Sequence, residues 1–112
     1  MSAAEPRAGE KLIIQEDCAE DKLKNGILTL TNQRLIFEKT EGRMTTLSKK
    51  TEEVLLDIPL TIISSSRSEG FIIAKVVVEL DDRSYKFGVL NTGHWAKEIM
   101  TQVNEAKRKS EA

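Results

Sequence analysis

The stretch GILTLTNQRLIFEK, Gly26 to Lys39, constrains the fold more than any other part of the chain. Leu28 and Leu30 fall on one side of an extended segment, with Thr29 and Thr31 on the other. After Asn32 and Gln33 the alternation resumes, with Leu35 and Phe37 opposite Arg34, Ile36 and Glu38. A period of two belongs to a β-strand, whose successive side chains point to opposite faces. Asn32 tolerates the backbone conformations that tight turns demand, so the stretch predicts a β-hairpin. Arg34 raises the question of whether it is a ligand-binding charge or part of the hairpin's construction. On a face shared with Ile36 and Glu38, an arginine can lay its stem on the sheet and send its fork to a carboxylate or a turn carbonyl. Asp57 is one candidate by residue type, and the role expected of Arg34 is structural.

The same texture recurs along the chain. KLIIQEDC precedes the hairpin, and VLLDIPL, TIISSSRS, AKVVVEL and SYKFGVL follow it. Pro59 has no N–H to donate and belongs at a strand end or edge. About seven short strands at regular spacing predict a sandwich or barrel. From Asn91 the period changes. Asn91 or Thr92 can cap a helix, and Trp95, Ile99, Val103 and Ala106 then recur every three or four residues. Such a helix must lay its apolar stripe on something, and the open mouth of the barrel is the expected place. Trp95 is expected to be a core plug. The basic cluster Lys107 to Lys109 falls in the last turn, where cations meet the helix dipole favourably. The chain of 112 residues suits one domain. Residues 1–9 read as a flexible tail, 10–109 as the domain and 110–112 as a short C-terminal tail.

Charge and single residues argue against several classes. The net charge is −1, with Lys and Arg interleaved among Asp and Glu. Nucleic-acid binding wants a basic stripe, so no nucleic-acid partner is expected. No apolar run reaches the roughly 18 residues of a membrane-spanning helix. The N-terminus lacks the apolar centre of a signal peptide, and Cys18 is the single cysteine, so a cytoplasmic protein is expected. His94 is the only histidine, with no second histidine or cysteine beside it to complete a metal set, so neither metal nor cofactor is expected. Acidic neighbours raise the pKa of the Cys18 thiol. Nothing like G-x-S-x-G surrounds Ser64-Ser65-Ser66. No enzymatic constellation emerges, and the expectation is that the chain is not an enzyme.

GILTLTNQRLIFEK resembles the signature hairpin of GRAM domains and related pleckstrin-homology-like (PH-like) modules, whose pattern runs roughly G-x-L-x-L-T-x-x-R-L-I-F. DIPLTII, Asp57 to Ile63, resembles the later family strand with its apolar-Pro-Leu-x-x-Ile element. YKFGVLNTGHWAKEI, Tyr85 to Ile99, resembles the aromatic last strand leading into a Trp-bearing helix. The three matches stand in the family order. The resemblance implies a mainly β fold: a partly open barrel or sandwich of about seven antiparallel strands, capped by one C-terminal α-helix.

It also implies a non-enzymatic binding module. Some such domains hold phosphoinositides, and others bind peptides or partner domains. Those that bind inositol phosphates use basic residues between the first two strands, and this sequence departs there with QEDCAEDKLKNG. Over the three loops of the expected mouth, Lys22, Lys24, Arg43, Lys49, Lys50 and Arg83 face Asp17, Glu20, Asp21, Glu41, Asp81 and Asp82. A phosphate site wants net positive charge and pointed donors. Protein–protein interaction, self-association included, is therefore the leading expectation. The alternative is weak attachment to a membrane surface or anionic lipid through Arg43, Lys49 and Lys50, in the loop between the third and fourth strands. Met44 and Leu47 would serve there as apolar tips. In some members a peptide adds as an extra strand between the fifth strand and the helix. The small side chains Ser64 and Ser66 would leave such an edge accessible.

Overall fold

The alternating segments become strands that pair as their patterns require. A computed structural model of the chain describes residues 7–20, 24–40, 51–70 and 72–111. In order these form β1 (Leu12–Glu20), β2 (Lys24–Thr31), β3 (Arg34–Thr40), β4 (Thr51–Pro59), a 3₁₀ turn (Leu60–Ile62), β5 (Ser65–Glu69), β6 (Lys75–Glu79), β7 (Ser84–Gly88) and α1 (Thr92–Glu111). All pairings are antiparallel, in one seven-stranded sheet ordered β4-β3-β2-β1-β7-β6-β5. The expected architecture, antiparallel strands closed by one C-terminal helix, is the observed one.

In the opening hairpin Leu28 pairs with Phe37 and Leu30 with Leu35, placing all four on the core side. The opposite face is covered as well: Ile27, Thr29, Arg34, Ile36 and Glu38 are buried. Gly26 is needed for a close approach. A Cβ there would lie 2.7 Å from Cζ of Phe37 and would overlap the Glu38 carbonyl.

TIISSSRS, expected as one strand, is divided. Pro59 ends β4 in extended backbone, and the chain then turns so that the Ile63 N–H donates to the Leu60 carbonyl at 3.2 Å. The three-residue spacing sends both Leu60 and Ile63 into the core while Ile62 stays half-exposed. Strand structure resumes only at Ser65.

Helix α1 starts where its cap directs. The Asn91 side-chain oxygen accepts the His94 N–H at 3.2 Å, and its carbonyl accepts the Trp95 N–H at 3.1 Å. Trp95, Ile99 and Val103 are buried, and the helix packs on β5, the 3₁₀ turn and β6. The Trp95 indole N–H donates to Glu16 Oε1 on β1 at 3.0 Å. Phe37 and Phe87 meet in the core with ring centroids 6.0 Å apart. Among the described residues no helix is long and apolar enough to cross a membrane.

Two glycines should respond oppositely to the same substitution. Gly26→Ala must displace Phe37 or the β3 backbone and is expected to cost roughly 1–3 kcal/mol. A Cβ at Gly93, in the first turn of α1, meets nothing within 4 Å. Gly93→Ala is expected to stabilise by up to about 1 kcal/mol through helix propensity. Urea denaturation of both variants checks the pair.

Candidate functional site

Arg34 leaves the β2–β3 turn with its side chain only 4% exposed, as is that of Glu10. Its Nε donates to Glu10 Oε2 at 2.8 Å and its Nη2 to Oε1 at 3.1 Å, a two-pronged match of fork to carboxylate. Its Nη1 donates to Asp57 Oδ2 at 2.8 Å. Asp57 was a candidate from residue type. Glu10, twenty-four residues away in sequence, is a partner that local pattern could not reveal. Thr31 Oγ1 donates to Glu10 Oε2 at 2.7 Å and accepts the N–H groups of Gln33 and Arg34, each at 3.0 Å.

The segment before β1 is drawn into the same cluster. Gln33 donates to the Ala8 carbonyl at 2.8 Å and Asn32 to the Gly9 carbonyl at 3.1 Å. The Lys11 N–H donates to Asn32 Oδ1 at 2.8 Å. Residues 7–9, read from composition as part of a tail, thus lie along the hairpin turn. The Arg34 bond, working against burial, holds the Glu10 carboxyl at about 2, below its ordinary 4.5. A guanidinium enclosed by two carboxylates offers little to an anionic ligand. The arrangement is a clasp between the N-terminal segment, the hairpin and β4.

At the expected mouth, Arg43, Lys49 and Lys50 lie outside the described residues, with Met44 and Leu47. Of the rim that is described, Arg83 pairs with Asp82 at 3.1 Å. The β5 edge is clearer. β5 pairs with β6 from Ser65 opposite Glu79 to Glu69 opposite Lys75, and it ends the sheet. Ser66 lies opposite Val78 of the core, and its Oγ is buried with no hydrogen-bond partner among the described residues. Ser68 Oγ meets Thr92 Oγ1 at 2.7 Å, tying β5 to the start of α1. Arg67 bridges Glu69 at 3.1 Å and Glu79 at 3.0 Å. Ser64 precedes the strand: its N–H donates to the Glu79 carbonyl at 2.7 Å and its hydroxyl to Asp81 at 3.2 Å. Of the two serines expected at a peptide groove, Ser66 is on the edge strand and Ser64 belongs to the turn before it.

Pattern reasoning missed a cleft of about 350 Å³ between β4 and the β6–β7 turn. Leu55, Leu56, Ile62, Leu80 and Tyr85 line it, with Asp57, Asp82 and Arg83 as its polar members. The consecutive Leu55 and Leu56, which break the alternation of β4, were the available signal. Elsewhere, His94 is exposed and Cys18 is buried. Desolvation, followed by the charges of Glu16 and Glu20, pushes the Cys18 thiol up to about 12. Such a thiol holds its proton at neutral pH and is a poor nucleophile. Among the described residues no His, Cys, Asp and Glu side chains gather as a metal set.

No family model matches the sequence, and no curated protein matches it. Among solved structures, the chain is similar to one described as the Vps36 N-terminal PH domain. The TM-score is 0.62 at 15% identity, covering 89% of this chain and 83% of that one. At that identity the likeness establishes the fold, which is PH-like, and it does not extend to the GRAM subdivision that the hairpin motif suggested.

The clasp has a measurable signature. Arg34→Ala strands the Glu10 carboxylate and is expected to cost roughly 3–5 kcal/mol. Because folding lowers the Glu10 pKa from 4.5 to about 2, its contribution is complete above 4.5 and is lost as pH falls towards 2. That contribution is on the order of 3 kcal/mol. Urea titrations carried downward from neutral pH should show the loss, and Glu10→Gln should flatten that acid limb. If Arg34→Ala melts at the wild-type temperature, the structural role of Arg34 is refuted.

Proposed function

We propose that this chain is a non-enzymatic PH-like module that binds protein by receiving an extended peptide segment on the free edge of β5, beside α1. The observation that carries the reading is the position of β5, the last strand of the sheet, with a helix packed next to it. An edge strand presents a row of backbone donors and acceptors, and an added strand satisfies them with little demand on its own sequence. Ser66 and Ser68 keep side-chain bulk low along the helix side of that edge. The edge is also short, at five residues, and carries the Arg67–Glu69–Glu79 ion pairs on its other face. Both features blunt indiscriminate strand pairing and favour a partner segment of matching polarity. A second copy of the chain is one such partner. The high thiol pKa of Cys18 and the exposed position of His94 support the non-enzymatic part of the reading.

Random extended peptides selected on the immobilised domain, followed by amide NMR, test the reading. Bound peptides should shift and protect the amides of Ser65–Glu69 together with those at the start of α1. Shifts confined to Leu55, Leu80 and Tyr85 would move the site to the cleft. Failure to select any peptide, combined with strong salt-sensitive sedimentation on anionic vesicles, would sink the protein-binding reading altogether.

A further inference from the structure

Three large aliphatic side chains project into solvent at one end of the molecule: Ile72 is 93% exposed, Ile73 75% and Leu90 95%. A single exposed aliphatic residue is ordinary, but these belong to two neighbouring turns. Glu69 pairs with Lys75 where β5 turns into β6, and Val76 pairs with Phe87 where β7 ends. The β5–β6 turn and the β7–α1 connection therefore share an end of the sheet, and the Ser68–Thr92 contact joins them. Gly70 shapes the first turn with a φ of 117°, a conformation strained for any side chain, and a Cβ there would overlap the Ile73 carbonyl. The Leu90 N–H donates to Glu16 Oε2 at 2.6 Å, immediately before the Asn91 cap, so its outward position is held by the connection itself.

The three side chains are convex tips, and none of them lines the cleft. A partner for such tips must accept apolar projections without offering a matching shape, and the acyl boundary of a bilayer does so because it is fluid. A contact of three tips between two copies would bury far less than the roughly 1,200 Å² of a stable protein interface. Among the described residues, charges of both signs meet at these turns: Glu69 lies opposite Lys75 and is paired with Arg67 and Lys86, and Glu16 accepts the Leu90 N–H. Apolar entry rather than headgroup charge must then dominate.

We propose that this end of the domain docks on a lipid bilayer surface, with Ile72, Ile73 and Leu90 entering the boundary between headgroups and acyl chains. It calls on none of Arg43, Lys49 and Lys50 and is independent of the β5 edge reading.

Co-sedimentation of the full chain with phosphatidylcholine vesicles, and with vesicles that also contain phosphatidylserine, tests the proposal. Wild-type protein should partition onto both, with little dependence on salt. The double variant Ile72→Asp, Ile73→Asp should lower partitioning by about tenfold or more while keeping the wild-type melting temperature. In an Ile72→Trp variant, the added emission should shift to the blue on vesicles and be quenched by lipids brominated on their acyl chains. Binding to neither vesicle would overturn the proposal, as would undiminished binding of the double variant. Binding to anionic vesicles alone, abolished by salt, would overturn it in favour of the basic loop. Lipid-free oligomers that the double variant abolishes would overturn it in favour of protein contact.

Discussion

Among the described residues two pairs, Ala19 with Gly88 and Glu20 with Phe87, join β1 to β7. The apolar core spans the same junction. Phe37 from one half meets Phe87 from the other, and Trp95 reaches across with its ring in the core and its indole N–H on Glu16 of β1. Burial of each such side chain is worth roughly 1.5–3 kcal/mol, several times a net hydrogen bond. The helix thus ties β1 to β5 and β6 across the core. A polar residue in place of Trp95 would loosen the sheet as a whole, because its ring lies in the core shared by both halves.

The two ends of the sheet create the surfaces available for binding. A sheet closed along its full length would have no edges. Among the described residues this one runs open from β4 to β5, so β5 ends the sheet beside α1, and β4 stands across a cleft from the β6–β7 turn. Function in such a fold falls to elements that the core does not need. The clasp shows the converse case. Arg34 is the most conspicuous charge in the most conspicuous motif, yet Glu10 and Asp57 occupy its fork. Breaking one partner of a buried ionic cluster is costly, which suits a device that fixes the N-terminal segment on the hairpin and ill suits a site that must empty and refill.

The legible parts of the fold were those specified by local period. The hairpin, the final strand pair and the helix stripe all follow from spacing, and the Asn91 cap follows from side-chain chemistry one turn away. Long-range or two-sided features were not legible. Ile36 and Glu38 are buried on the face opposite the core, which alternation does not encode. The 3₁₀ turn at Leu60–Ile62 interrupts an apolar run that reads equally well as a strand. Glu10 opens the expected domain beside a polar stretch that reads as a tail, and only the folded chain carries it to Arg34. Surfaces were less legible still. The cleft is assembled from Leu55, Leu56, Leu80 and Tyr85, which in sequence look like ordinary core residues. Ile72 and Ile73 differ from buried isoleucines only in lying beyond the end of β5.

The two proposed surfaces are not remote from one another, and their proximity limits what could use both. β5 runs directly into the turn that bears Ile72 and Ile73. Five residues of strand span about 17 Å at the usual rise. A peptide added along β5 while those tips sit in the boundary of a bilayer would lie within about that distance of the membrane surface. A segment close to a membrane anchor could then engage the edge and the bilayer together. The bilayer would raise the segment's effective concentration at β5 without adding any contact to the peptide. A segment from a protein free in solution would gain nothing from the tips. On these readings the fold discriminates between partners by where their binding segments are tethered as much as by what they contain.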